Sequence, residues 1–232
     1  VAKKQNAPTP LLSDAERERL VPLYMRRLED AYGDPHAALH FKNPYELLVA
    51  VILSAQTTDV GVNKATPALF ERYPTPAALA DADQLEVEEY VRTLGFYHQK
   101  AKNIIATCRM IVAEHDGEVP DTMAGLTALP GVARKTANIV LGEAFDKVEG
   151  IAVDTHVFRL AHRFGLTTQK DQDKVERDLM TTFPREHWHR LNYDLITHGR
   201  RICTAKKPAC GACFLNDICP SAFAVPGWRE TT

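Results

Sequence analysis

Several features are missing from the 232-residue sequence, and each absence excludes something. No apolar run approaches the roughly 20 residues of a bilayer span, so no membrane partner is expected. The opening VAKKQNAPTPLL has neither an apolar core segment nor a cleavage pattern, which argues for a cytoplasmic setting, nucleoid-associated in a bacterium. Alternation of period two is lacking, only Glu149–Val153 (EGIAV) looks extended, and the fold class is therefore all-α. Low-complexity segments and tandem repeats are absent as well. So is any excess of positive charge: 28 basic residues stand against 30 acidic ones, net charge is −2 and the pI is about 6.5. Bulk charge thus gives no support for nucleic-acid binding.

What is present is apolar residues at helical spacing. At 45% hydrophobic, the chain can fill one large core or two modest ones. Ser13-Asp14-Ala15-Glu16 has capping-box spacing ahead of Leu20, Tyr24, Leu28 and Ala31, with Pro22 expected to kink or divide that helix. Asn43-Pro44 supplies a cap and a first-turn proline before YELLVAVILSAQ, apolar all round and so central to the core. Further helices are expected near 60–72, 84–93, 98–115, 121–128, 134–145, 155–164, 171–182 and 185–198. Residues 1–12, with two prolines among polar spacers, are expected to be disordered.

Charge is unevenly distributed. Residues 81–89 hold five acids and no base, whereas Lys100, Lys102 and Arg109, then Arg134 and Lys135, then Arg200, Arg201, Lys206 and Lys207 form basic stretches. Each is by itself an ordinary solvated face. Together they suit one polyanion groove with the acids turned away.

Cys203, Cys210, Cys213 and Cys219 are spaced C-x6-C-x2-C-x5-C. Four thiols so close together in a cytoplasmic protein imply a metal. A four-cysteine zinc site usually joins two C-x2-C knuckles, and only one is present; grouped thiolates also suit an iron–sulfur cubane. Spacing leaves both open. Anchored at each end, the Thr204–Ala209 loop would display Lys206 and Lys207 as a cationic finger. The fifth cysteine, Cys108, lies among isoleucines and reads as a buried structural thiol.

In LPGVARKTANIVLGEAF (129–145), Leu129-Pro130-Gly131-Val132 is a turn between two helices, and Gly131 permits positive φ. Amides at the start of the second helix form an anion site fit for a phosphate. Arg134 and Lys135 occupy the first helical turn, where the dipole disfavours cations. Lys135 points away from the inward stripe of Ala137, Val140, Leu141 and Ala144; it is either a surface lysine or an amine held against a bound strand as a nucleophile. Asp154, in AVDTH, reads as a helix N-cap whose second oxygen is available as a base.

LPGVARKTAN, AVDTH and the cysteine pattern, with SAQTTDVGVNKA (54–65) and YHQKAKNI (97–104), resemble the endonuclease III family of helix-hairpin-helix DNA glycosylases from about Asn43 to Cys219. The resemblance implies a bifunctional glycosylase and AP lyase of base-excision repair, active on oxidised pyrimidines in duplex DNA. Lys135 would attack C1′ and form a Schiff base, with Asp154 activating it. The four cysteines would hold a [4Fe–4S] cluster, chiefly a DNA-docking element. Duplex DNA bearing damaged pyrimidines or abasic sites would be the partner of a monomer. The implied organisation is two helical domains with a C-terminal cluster loop. A six-helix domain would span 37–145, and 13–36 would join 146–232 in a cluster domain after the extension 1–12. DNA contacts would come from Gln56, Phe96, His98, Leu129, Gly131, Ala133, Arg134, Thr155, His156, Lys206 and Lys207. Phe96 stands where the family more often has leucine, His98 where it has asparagine, and Ala133 where the hairpin usually has a second glycine. Adenine-mismatch glycosylases generally lack the hairpin lysine, 8-oxoguanine glycosylases lack this cysteine set, and a non-catalytic damage-binding protein would keep hairpin and cluster without the chemistry.

Overall fold

The computed structural model describes residues 9–33 and 38–231. The disorder expected for residues 1–8 and the boundary at 36/37 fall outside the described residues. Secondary structure among the described residues is helical throughout, with no strand. Two compact units are formed, one from Val1–His36 with Gly150–Thr232 and the other from Ala37–Glu149.

The Ala37–Glu149 unit contains α2 (Pro44–Leu53), α3 (Asp59–Arg72), α4 (Pro76–Ala80), α5 (Gln84–Val91), α6 (Tyr97–Glu114), α7 (Met123–Ala128) and α8 (Arg134–Phe145). The additional helix beyond the expected six is the five-residue α4, too short for a periodic signal, started by Thr75 capping the Ala78 amide and by Pro76 in its first turn. Helix α2 is buried from Tyr45 to Leu53 and forms the centre of the core, with α8 packed on it through Ala137, Val140 and Leu141. Helix α6 buries Ala101, Ile104, Ile105, Cys108 and Ile111 against the same core. Burial pushes the Cys108 thiol up to about 12, which leaves it unreactive at neutral pH.

The other unit contains α1 (Asp14–Tyr32), α9 (Thr155–Arg163), α10 (Gln172–Thr182), a single 3-10 turn (Arg185–His187) and α11 (Trp188–Arg201). Ser13 and Glu16 form the capping box at the start of α1. That helix runs unbroken through Pro22. The proline lies on the exposed side, so the backbone bond it deletes faces water, while Leu20, Val21, Tyr24 and Leu28 pack inward on the other side. Residues 9–12 are also better held than composition suggests: Leu12 is buried, its amide donates to Gly165 O at 2.8 Å, and Thr9 bonds Ser221. Residues 151–153 belong to no helix and pair with no strand; Ile151, Ala152 and Val153 are buried and lead through Asp154 into α9. No helix among the described residues is long and apolar enough to cross a membrane.

Candidate active site and cluster centre

In the Ala37–Glu149 unit the 129–132 turn is fixed from several sides. Leu129 and Val132 are buried, the Val132 amide donates to Leu129 O at 3.1 Å, and Thr107 on α6 donates to Pro130 O at 2.7 Å. Leu129 is only 2% exposed and packs in the core of this unit. At the far end of the hairpin, Lys147 Nζ clips Asp121 through the backbone oxygen at 3.0 Å and the carboxylate at 2.5 Å. That amine holds the Asp121 carboxyl below its usual range, so the clip is formed at neutral pH and lost as pH falls through the lowered value.

Gly131 has φ +78°, and a Cβ there would stand 2.7 Å from Asn103 Nδ2 and 3.1 Å from its Cγ. Ala133, by contrast, has φ −86° and ψ 167°, an extended conformation open to any residue, so alanine in place of a second glycine carries no backbone strain. It serves as N-cap of α8 without any side-chain cap bond of its own, as suits a helix start that receives an anion. Most helices of this unit are side-chain capped, by Asn43, Thr58, Thr75, Asp83 and Thr122; α6 and α8 are not. Lys135 is exposed at the mouth of this turn and Arg134 is half-buried beside it. A Gly131→Ala variant is expected to bind duplex DNA about tenfold more weakly. The left-handed backbone alone costs ~1–2 kcal/mol and Asn103 must move. Parent-level affinity in a titration would contradict this role for the turn.

Two further loops come together in the same unit. Gln56 (φ 53°) and Phe96 (φ 58°) both adopt the left-handed conformation, a sparsely populated state for residues with side chains. They are neighbours in space, since a Cβ on Gly95 would lie 3.9 Å from Gln56 O. Phe96 is 69% exposed, a large apolar ring held in water at the uncapped start of α6. His98 Nδ1 meets the buried Glu88 at 2.6 Å, and Gln84 donates to the same carboxylate at 2.8 Å. Lys100, expected on a cationic face, is instead 4% exposed, lowered in pKa by burial, and donates to Thr57 Oγ1 at 2.5 Å. It braces the turn carrying Gln56. The basic stretch 98–112 therefore is not one continuous surface: Arg109 Nε also turns to a backbone oxygen, that of Ala80. Nor are the acids of 81–89 idle, since Asp83 caps α5 and Glu86 pairs with Arg72.

In the other unit, Asp154 caps α9 with one oxygen alone: Oδ1 accepts from the His156 and Val157 amides at 2.7 and 2.8 Å. Thr155 is exposed, while His156 is half-buried with its Nδ1 3.1 Å from Arg159 Nη2. Burial is the main cause of a lowered His156 pKa.

Cys203, Cys210, Cys213 and Cys219 all line one pocket, and none forms a disulfide. Among the described residues no group of three or more His, Cys, Asp or Glu side chains is set to hold a single ion. Burial pushes Cys213 up to about 11 and Cys219 up to about 12, so thiolates there call for cationic metal as partner. Arg163 Nη1 reaches Cys203 Sγ at 3.1 Å, and His198 Nε2 lies 3.5 Å from Cys213 Sγ. Four cysteine sulfurs lining one pocket, with Arg163 Nη1 and His198 Nε2 against two of them, fit an iron–sulfur cluster. The intervening loop is anchored on both flanks. Arg163 donates to Thr204 O and Ala205 O at 2.8 Å, and the Arg229 amide donates to Pro208 O at 2.8 Å. Lys206 and Lys207 are left exposed at its tip. Replacing both with alanine is expected to weaken binding to all duplex sequences alike and to flatten the log K–log salt slope by about one unit for each phosphate no longer neutralised. An unchanged slope would contradict the finger.

Comparison with known proteins agrees with these features. Residues 49–185 match the family described as HhH-GPD superfamily base excision DNA repair protein, and residues 203–219 match the iron–sulfur binding domain of endonuclease III. The chain is 50% identical to endonuclease III of Synechocystis sp. over 92% of this chain and 96% of that one. Identity to the Escherichia coli (strain K12) enzyme is 47%, over 84% and 92% of the two chains. A solved structure of a trapped endonuclease III–DNA covalent intermediate superposes with a TM-score of 0.86 at 39% identity, covering 92% of this chain and 99% of that one. A thermostable thymine-DNA glycosylase, 21% identical with a TM-score of 0.76, shares the fold. The chain belongs to the endonuclease III family of the HhH-GPD base excision DNA repair proteins and carries that family's iron–sulfur domain.

Proposed function

We propose that this protein removes oxidised pyrimidines from duplex DNA and cuts the strand at the resulting abasic site, using Lys135 as nucleophile and Asp154 as base. The observation that carries the reading is an exposed lysine in the first turn of a helix whose N-cap residue, Ala133, offers no side-chain cap, directly after the Gly131 turn. A phosphate seated on those amides also offsets the unfavourable placing of two cations at a helix N-terminus.

The chemistry follows from the residues. The lesion must leave the stack to be attacked, which costs a few kcal/mol. Gln56 and Phe96, held left-handed before binding, fill the vacated space, and Phe96 can stack on the bases beside it. Asp154 takes a proton from the Lys135 ammonium through the oxygen not used for capping. The freed Nζ attacks C1′, the C1′–N bond breaks, and the base departs with the bonding electrons. The C1′–O4′ bond then opens, O4′ taking a proton as the C1′=Nζ Schiff base forms; loss of a proton from C2′ expels the 3′ phosphate oxygen by β-elimination, and water hydrolyses the imine to release Lys135. Cys203, Cys210, Cys213 and Cys219 hold the [4Fe–4S] cluster, which when bound supplies a covalent brace for the Lys206–Lys207 loop. The protein acts as a monomer, one chain carrying every residue named.

Borohydride reduction in the presence of a thymine-glycol or abasic duplex tests the reading. A covalent protein–DNA adduct forms if a Schiff base does; release of base with no adduct would indicate direct attack by water and overturn it.

A further inference from the structure

Among the described residues His198 is the one histidine with 0% exposure, and nothing in the base-excision chemistry uses it. It lies in α11 among the rings of Tyr32, Phe164 and Phe214, at centroid distances of 6.1, 6.2 and 5.2 Å. Both ring nitrogens have partners: Nδ1 is 2.8 Å from Tyr32 Oη, and Nε2 is 3.5 Å from Cys213 Sγ. Its backbone oxygen also receives the Cys203 amide at 2.8 Å, so a single residue touches two of the four cysteines.

We propose that Tyr32 and His198 form a hydrogen-bond relay that presents the Nε2 proton of a neutral His198 to Cys213 Sγ, thereby setting the reduction equilibrium of the cluster. The inference rests on the reading that these four cysteines hold it. A cysteine bound to iron is a thiolate and has no proton to give, so the hydrogen between Cys213 and His198 belongs to Nε2. The opposite tautomer would set a nitrogen lone pair against a sulfur lone pair. With its single proton on Nε2, the neutral ring leaves Nδ1 as an acceptor, and Tyr32 is the donor that fills it. Burial pushes the Tyr32 phenol up, which keeps that donor protonated. Each polar atom of the relay then has one role, and Tyr32 acts on the sulfur only by fixing the tautomer of His198.

An N–H on sulfur stabilises the more negatively charged state, so it favours the reduced cluster. Arg163 works in the same sense on Cys203 from the other side, at 3.1 Å. The relay adds a neutral donor where a second buried cation would need a counter-charge. Its effect should therefore be a change in equilibrium without a change in fold.

The test is voltammetry of the cluster-loaded full chain at an electrode, which supplies the electron, with iron and sulfide measured per chain. Tyr32→Phe keeps the ring and its packing but removes the donor; His198→Leu removes both bonds; His198→Gln retains an N–H that can reach sulfur. Relative to the parent, Leu is expected to disfavour reduction about tenfold, equivalent to about 59 mV for one electron. Phe should move the equilibrium the same way by a smaller factor, and Gln should restore most of it. Parent-like potentials in both the Phe and Leu variants, each with a full complement of iron and sulfide, would overturn the relay. If the Leu variant fails to hold the cluster, the Phe variant decides: a shifted potential supports the relay and an unshifted one overturns it. A parent protein without stoichiometric iron and sulfide would refute the ligand reading itself, a failure separate from that of the relay.

Discussion

A Lys135→Gln variant is expected to lose base release and strand cutting together, by on the order of 10⁴-fold or more, as happens when a nucleophile is removed. Glutamine matches much of the length and polarity of lysine but cannot form an iminium. Lys135 is exposed and lies outside the stripe of Ala137, Val140 and Leu141 that seats α8 on the core, so thermal stability should change little. Affinity for an undamaged duplex should fall by no more than about one lysine–phosphate interaction is worth. Rates under single-turnover conditions separate the two effects. If strand cutting vanishes while base release persists, Lys135 serves the lyase step alone and attack at C1′ comes from elsewhere.

Asp154→Asn is the second large effect. Both α9 cap bonds fall on Oδ1, and an asparagine side-chain oxygen can accept them equally well. Helix stability should therefore be nearly unchanged, whereas an amide can neither take the lysine proton nor offset positive charge growing on the sugar. A rate loss of ~10²–10⁴ is expected, the usual contribution of a placed acid or base. Asp154→Ala should lose that rate and, in addition, about 1 kcal/mol of stability from the missing cap. The two variants thus divide the two jobs of one residue: a fully active Asn variant would leave Asp154 as a cap and nothing more.

Much of the helical frame could be read in the sequence, because caps and first-turn prolines mark the helix starts. Ser13 with Glu16, and Asn43 with Pro44, place α1 and α2 to within a residue. Pro22 does not divide α1, since a proline rule stated for helix interiors does not ask which side faces water. Residues 9–12 misled for a related reason: composition says disorder, but Leu12 finds the core and its amide finds Gly165 O. Helix α4, five residues long, is too short to show a period.

At the candidate site, residue types were legible and conformations were not. Charge counting placed Lys100 on a cationic face, yet Thr57, 43 positions away, draws it inside. No propensity flags Gln56 or Phe96 as left-handed; that follows from how two loops abut. Whether Ala133 loses anything against glycine depends on its φ, and −86° asks for no glycine. The Tyr32–His198 bond joins residues 166 positions apart and had no sequence signal at all.

Everything in the proposed mechanism turns on one particular amine making the covalent bond to DNA. Borohydride-reduced adduct with an abasic duplex, digested to peptides and sequenced by mass spectrometry, locates that bond. The expected result is a deoxyribose-derived mass increment on Lys135 in the peptide following Gly131. The increment on any other amine, whether Lys100, Lys206 or the N-terminus, with Lys135 unmodified, would contradict the account.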